Sequence, residues 1–169
     1  MKHWPFKVFC LSFFLAAIFS ALTSFCSDMN VVILLFIMTL VIFIGILFDM
    51  IGVAALTSKE SSFHAMSSKK IAGAKEAISL LRNGNVVSSV CNDVIGDICG
   101  IVSGSLGAVL TAYLTLKLNA NGIWVTVLVT SFISALTVGG KAIGKQIAMK
   151  KSDGLVFFAG KIKHILHLK

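Results

Sequence analysis

The chain alternates long apolar stretches with shorter polar segments. Residues 31–48, 98–116 and 123–140 contain no Asp, Glu, Lys or Arg, and residues 8–25 form a fourth such stretch. Each stretch is close to the roughly 20 residues that a helix needs to cross the hydrocarbon core of a bilayer. The pattern therefore predicts an all-α, polytopic helical membrane protein with four transmembrane spans.

The polar residues between the stretches set the predicted boundaries. At about 1.5 Å per residue, span three is too long to cross a bilayer as one straight helix, so we expect its first part to break, tilt or lie at the interface. The predicted spans are 6–26, 31 to between 49 and 57, 86–118 and 123–148, with outer turns at 27–30 and 119–122. As domains, we predict an N-terminal transmembrane helix or signal anchor at 1–30, a transmembrane domain at 31–151 and a basic cytosolic tail at 152–169.

Two polar segments carry short amphipathic patterns. In the cytosolic segment 58–85, apolar residues recur at helical spacing before a turn: Ile71, Ala74, Ile78 and Leu81, then Asn83-Gly84-Asn85. In the tail, an apolar face is predicted from Leu155, Phe158, Ile162, Ile165 and Leu166. We expect both segments to be short amphipathic helices, the first lying against the membrane or the bundle of spans and the second at the membrane interface.

Composition and charge indicate the class of protein and its orientation. Hydrophobic residues make up 57% of the chain and charged residues 13%, which excludes an ordinary soluble domain. With both termini in the cytoplasm, fourteen of the fifteen Lys and Arg residues lie inside and only Lys117 lies outside. This distribution agrees with the enrichment of Lys and Arg in short cytoplasmic loops of membrane proteins. We therefore predict a multi-pass protein of the cell membrane. Its net charge of +8 indicates attraction to the anionic lipid bilayer and requires no nucleic acid.

Small residues recur every fourth position in spans three and four. Such rows let two helix backbones approach closely. We expect these spans to pack on each other or across the axis of a homodimer. The rows are Gly96, Gly100, Gly104, Ala108 and Ala112 in span three, and Gly140, Gly144 and Ala148 in span four.

Ionisable and amide side chains gather where the apolar stretches end. Asp93 and Asp97 are four residues apart, so an α-helix places them on one face, with Asn92 beside them. Carboxylate and amide oxygens are the ligands that magnesium and similar hard cations prefer. Asn92, Asp93 and Asp97 therefore form a candidate metal site on an ion pathway, with Asp49 reaching in from span two.

Two other interpretations of these residues stay open. Asp93 or Asp97 can instead pair with Lys141 or Lys145, which neutralises charges at a depth where a lone charge is costly. The same groups can also be simple anchors that reach for water at the membrane boundary. The first alternative makes the cluster a structural ion pair, and the second gives it no binding role.

The remaining motifs favour no catalytic chemistry. Residues 139–145 have the glycine and lysine spacing of a phosphate-binding loop, but Gln146 replaces its hydroxyl residue and no α/β pattern surrounds it. His164 and His167 lack a third metal ligand nearby, and the four cysteines stand singly in apolar spans. No nucleophile with an adjacent base is recognisable. We expect a protein that is not an enzyme and no cofactor other than magnesium or another divalent cation.

The order of four segments is similar to that of a known family. The segments are Ala55-Leu56-Thr57-Ser58, Ala77-Ile78-Ser79-Leu80-Leu81-Arg82-Asn83, Val90-Cys91-Asn92-Asp93-Val94 and Gly140-Lys141-Ala142-Ile143-Gly144-Lys145. Residues from about 48 to 151 thereby resemble the membrane domain of the CNNM/CorC magnesium transporters. The resemblance implies a dimeric domain of three spans plus membrane-belt helices that binds dehydrated magnesium, with Asn92 at a site position. Members often continue into cytosolic CBS and CorC-type domains. Only a short tail follows Lys151 here, so we expect no CBS domain and a separate cytosolic regulatory subunit.

The chain differs from the family pattern at the implied metal site. Lys141 and Gly144 stand where members usually carry Glu and Pro, and Met50 and Gly52 replace serines that help line the site. A lysine there supplies a fixed positive charge, which repels a magnesium ion.

Two functions are compatible with these residues. The first is a divergent CNNM/CorC-like protein in divalent cation transport or its regulation, in which Asp93 and Asp97 bind the metal or Lys141 acts as a built-in counter-charge. The second is a non-transporting membrane scaffold or accessory subunit. In the scaffold, Asp93 and Asp97 pair with Lys141 and Lys145.

Overall fold

The computed structural model describes residues 4–24, 30–119 and 121–166. Within these ranges the chain is all-helical and contains no strand, which confirms the predicted all-α class. The helices are α1 (Trp4–Ser24), α2 (Val31–Thr57), α3 (Ser61–Ser68), α4 (Ala74–Arg82), α5 (Gly84–Ser89), a π-helix (Val90–Ile95), α6 (Gly96–Leu118), α7 (Gly122–Lys150) and α8 (Ser152–Ile165).

Three helices in the described part of the chain are long and apolar enough to cross a membrane. They are Val31–Thr57, Gly84–Leu118 and Gly122–Lys150, the second of which joins α5, the π-helix and α6. They coincide with predicted spans two, three and four. Predicted span one forms a helix of 21 residues, and its membrane crossing stays a prediction. The outer turn at 27–30 lies outside the described residues except for Asn30.

One compact unit contains the described residues of 1–46 and 94–140. Its core includes a stripe of α2 residues at helical spacing, Leu34, Met38 and Ile42, which cluster with Leu106 of α6 and Ile133 of α7. The remaining sides of the long helices expose large apolar residues, among them Phe36, Phe43, Leu128 and Phe132. Apolar exposure of this extent is typical of surfaces that face lipid or another protein.

The second compact unit contains the described residues of 47–93 and 141–169. Phe63 of α3, Ala77 of α4 and Val156 of α8 form its core together with Ala54. Helix α4 lies close to α8, since a Cβ atom on Gly160 would lie 2.5 Å from the carbonyl oxygen of Gly73. Gly73 also has φ of 89°, a left-handed conformation that favours glycine.

The short helices agree in part with the predicted amphipathic patterns. Helix α4 confirms the pattern before Arg82, but the predicted turn is shorter, because α5 already begins at Gly84. Helix α8 forms in the tail and exposes Phe158, Ile162 and Ile165, while its opposite side packs into the core. Helix α3 was not predicted, since its serine-rich sequence has a weak helical pattern. The π-helix departs from regular α-geometry within the first part of span three, where a break, tilt or interfacial position was expected.

Candidate functional site

The buried stripe of α2 contains a carboxylate. Asp49 lies two turns beyond Ile42 on the same side of the helix and is only 3% exposed. Its Oδ2 atom lies 3.7 Å from the Nζ atom of Lys145 on α7, whose side chain is half-exposed. That oxygen has no hydrogen-bond partner in the described part of the chain. The ion pair therefore provides the positive charge that a buried carboxylate needs.

A second buried oxygen comes from the π-helix. Asn92 donates from Nδ2 to the hydroxyl oxygen of Ser88 at 3.2 Å, which fixes one end of its amide. The other end, Oδ1, is buried and accepts no hydrogen bond from the residues that the structure describes. Buried oxygens without a donor are rare in folded proteins, and a water or an ion commonly satisfies them.

Gly52 makes room for the Asn92 amide on the side of α2 that carries Asp49. It follows Asp49 by three residues, so the two positions lie on the same side of the helix, one turn apart. A Cβ atom on Gly52 would lie 2.1 Å from Asn92 Oδ1. The amide of Asn92 therefore occupies the space that a side chain at position 52 would fill. Asp49, Asn92 and Lys145 together are named the polar centre below.

The other residues of the predicted metal site lie in less buried positions. Asp93 is exposed and accepts a hydrogen bond from the hydroxyl of Ser89 at 2.8 Å. Asp97 is exposed in the first turn of α6, and Lys141 is half-buried one turn before Lys145. Of the predicted ligands Asn92, Asp93 and Asp97, Asn92 is the one with a buried, unpartnered oxygen. The pairing of Asp93 or Asp97 with Lys141 or Lys145 stays a prediction.

Asn92 and Asp93 lie in the π-helix, and Asp97 lies in the first turn of α6. Asp93 and Asp97 are both exposed, and the prediction that they share a face stays a prediction. In the observed segment, Cys91 and Val94 are buried, whereas Asp93 is exposed.

The polar centre has the chemistry of a small oxygen-ligand site for a hard cation. One carboxylate oxygen and one amide oxygen match the preference of magnesium, which is usually held by one or two carboxylates and retains several waters. Among the described residues no three His, Cys, Asp or Glu side chains come together, so a cage made only of these side chains does not form there. The ammonium group of Lys145 competes with any cation for Asp49, because both neutralise the same charge.

From the sequence, Asp49, Asn92 and Lys145 are each candidate residues, but the pairing of Asp49 with Lys145 is not predicted. The available signal was the register of α2, because Asp49 continues the helical spacing of Leu34, Met38 and Ile42. A residue on that stripe is expected to be buried, and a buried carboxylate needs a cationic partner. The packing of Asn92 against Gly52 gave no sequence signal, since it depends on contact between two helices.

Comparisons of the chain with protein-family models, with curated proteins and with solved structures give no match.

Proposed function

We propose that the chain is a divergent CNNM/CorC-like integral membrane protein that takes part in the transport of a divalent cation such as magnesium, or in its regulation. The observation that carries the cation role is the pair of buried oxygens, Asp49 Oδ2 and Asn92 Oδ1, which lack hydrogen-bond partners among the described residues. Three apolar helices of membrane-crossing length support a multi-pass membrane location. The lysine and arginine bias supports cytoplasmic termini.

The proposed mechanism is an exchange of positive charge at Asp49. Without a bound cation, Lys145 neutralises the carboxylate at 3.7 Å. A cation bound between Asp49 and Asn92 takes over that role, and the half-exposed lysine is free to turn toward water. Cation binding and the Lys145 ion pair therefore exclude each other. Such exclusion links occupation of the polar centre to the orientation of the Lys145 side chain. The proposed role is binding or transport of the cation.

Thermal unfolding of the detergent-purified protein tests this proposal. A ligand that binds only the folded state stabilises it by about 2.7 kcal/mol at a hundred times its dissociation constant. We expect magnesium, manganese or calcium to raise the unfolding temperature of the wild type more than sodium does at equal ionic strength. The Asp49→Asn variant should lose this increase, because the amide removes the charged ligand.

The matched control is Asp93→Asn, which makes the same chemical change at an exposed carboxylate. This variant should keep the cation effect if the polar centre is the site. Loss of the effect in Asp93→Asn but not in Asp49→Asn would place the cation at the predicted cluster of Asn92, Asp93 and Asp97 instead. No stabilisation of the wild type by any of these cations would contradict the transport role.

A second function, a non-transporting membrane scaffold or accessory subunit, is favoured by one observation. Lys145 already neutralises Asp49, as a purely structural ion pair would. Lys145→Gln separates the two functions. In a cation-binding protein the change removes a competing charge, so the apparent affinity for the cation should rise at least several-fold. In a scaffold it should only lower stability, with no cation dependence.

A further inference from the structure

A polar cleft lies at the ends of two long helices in the second unit. Helix α2 ends at Thr57 and helix α7 ends at Lys150, and the segments that follow them enclose a cleft of about 300 Å³. This volume lies at the lower end of the range for small-molecule sites. The cleft is lined by three lysines and three hydroxyl residues, Lys59, Lys150, Lys151, Thr57, Ser62 and Ser152. Below it is called the lysine cleft.

The charge of the lysine cleft is unbalanced. Lys59, Lys150 and Lys151 are exposed, and none of them lies within ion-pair distance of a carboxylate in the described ranges. Asp153 also lines the cleft, but its carboxylate accepts hydrogen bonds from the hydroxyls of Ser58 and Ser62. The hydrogen bond from Ser58, followed by that from Ser62, lowers the pKa of Asp153, so it stays ionised at neutral pH. Three ammonium groups and one carboxylate leave two positive charges.

The available donors in the cleft are mainly the ammonium groups. The hydroxyl of Thr57 donates to the carbonyl oxygen of Val53 at 3.0 Å, and that of Ser62 bonds to Asp153. Ser152 has no such partner among the described residues, so its hydroxyl is free to donate to a bound group. The site therefore offers point charges with one hydroxyl, a set that suits a multiply charged oxyanion.

We propose that the lysine cleft binds a phosphate group, and that a phosphomonoester fits it better than a phosphodiester. A phosphomonoester carries a charge of about −1.5 to −2 at neutral pH and has three acceptor oxygens. It therefore matches the two positive charges of the cleft. A phosphodiester carries a single negative charge, so it leaves one positive charge of the cleft unbalanced.

Two sources can supply this chemistry, a lipid headgroup and a soluble phosphate. Thr57 and Lys150 end helices of membrane-crossing length. In the proposed topology the cleft therefore lies at the depth of the cytoplasmic headgroups, where a phosphatidic acid headgroup presents a monoester. The lipid source rests on the proposed membrane location, whereas binding of soluble phosphate does not.

The test uses the full chain in detergent. One arm compares sodium phosphate with sodium chloride at equal ionic strength. The other compares mixed micelles that contain equal mole fractions of phosphatidic acid, phosphatidylglycerol or phosphatidylcholine. The readout is the unfolding temperature of the wild type, of the double variant Lys59→Gln with Lys151→Gln, and of a control double variant. The control, Lys69→Gln with Lys75→Gln, removes the same charge from two exposed lysines outside the cleft.

We expect stabilisation by phosphatidic acid to exceed that by phosphatidylglycerol if the source is lipid, and stabilisation by sodium phosphate if the source is soluble. In either arm the cleft variant should need at least about tenfold more ligand for half of the effect, because two charge-assisted contacts are lost. The control variant, and a Lys59→Arg with Lys151→Arg variant that keeps the charge, should behave like the wild type.

Two results would overturn the phosphate site. One is the absence of stabilisation in both arms, and the other is an equal loss of stabilisation in the cleft and control variants, which indicates general charge attraction. The magnesium response of the polar centre should be unchanged in the cleft variant. Failure of the phosphate site and failure of the proposed cation role are therefore distinguishable.

Discussion

Gly52 determines whether the Asn92 side chain can lie against α2. Its hydrogen side chain leaves room for Asn92 Oδ1, which would be 2.1 Å from a Cβ atom at this position. Rotation of Asn92 away from α2 would break the hydrogen bond from its Nδ2 atom to Ser88. The structure therefore gives this glycine a packing role.

Gly52→Ala should destabilise the protein although it improves helix propensity. Alanine gains about 1 kcal/mol over glycine inside a helix, whereas overpacking costs about 1–3 kcal/mol and the displaced amide also loses its bond to Ser88. We expect a net loss of about 1–2 kcal/mol in the free energy of unfolding, measured by denaturation in detergent. Gly139→Ala is the control, since a Cβ atom there meets nothing within 4 Å. Equal effects of the two changes would show that Asn92 does not depend on Gly52.

At the scale of elements, α4 and α8 are held together by polar contacts around a close backbone approach. Glu76 and His164 lie 2.8 Å apart, and Lys163 donates to the hydroxyl of Ser79 at 3.3 Å. The hydrogen bond from His164 is the main cause that holds the pKa of Glu76 below its ordinary value of 4.5. The carboxylate of Glu76 therefore stabilises the folded state when it is ionised.

This contact predicts a pH dependence of stability. A carboxylate with a lowered pKa contributes stability above its ordinary value of 4.5, and the contribution is lost as the pH falls through the folded-state pKa. Glu76→Gln should lower the free energy of unfolding at pH 7 by no more than about 1 kcal/mol, because the pair is partly exposed. It should also reduce the acid slope of stability below about pH 4.5. Lys75→Gln on the same helix should keep the wild-type slope in thermal unfolding across pH, and equal slopes in all three proteins would refute the contribution of Glu76.

The elements of this fold could be predicted to different extents. Long charge-free stretches predicted the helices of membrane-crossing length, because their hydrophobic pattern is independent of partners. Helix α3 could not be predicted, since Ser61–Ser68 gains its stability from burial of Phe63 in a core formed by distant segments. The same limit applies to the polar centre. Burial of Asp49 follows from helical spacing. The position of Asn92 depends on a π-helical turn that no local sequence pattern predicts.

At the scale of the whole molecule, the small-residue row of α6 is open in a single chain from Gly100 onward, whereas Gly96 at its start is buried. Cβ atoms on Gly100 and Gly104 would meet nothing within 4 Å, and Ala108 and Ala112 are exposed. Helix α6 packs on α7 at Gly107, where a Cβ atom would lie 2.3 Å from Ile133 Cδ1, and Gly100 and Gly104 line a cleft of about 270 Å³ with α7. The exposed positions of the row, Gly104, Ala108 and Ala112, remain available to a second copy in the predicted homodimer.

Gly104→Leu should weaken that homodimer without unfolding the chain. A leucine at this position separates two helix backbones that approach through small residues, and the open space around Gly104 in one chain accommodates the new side chain. We expect self-association in lipid vesicles, measured by energy transfer between labelled copies, to weaken at least about tenfold, a change of about 1.4 kcal/mol. Gly139→Leu is the matched control, because a Cβ atom on Gly139 also meets nothing within 4 Å but lies outside the row. If Gly104→Leu associates like the wild type, the row of α6 is not part of the interface between copies, and the close helix contact predicted from its spacing does not form there.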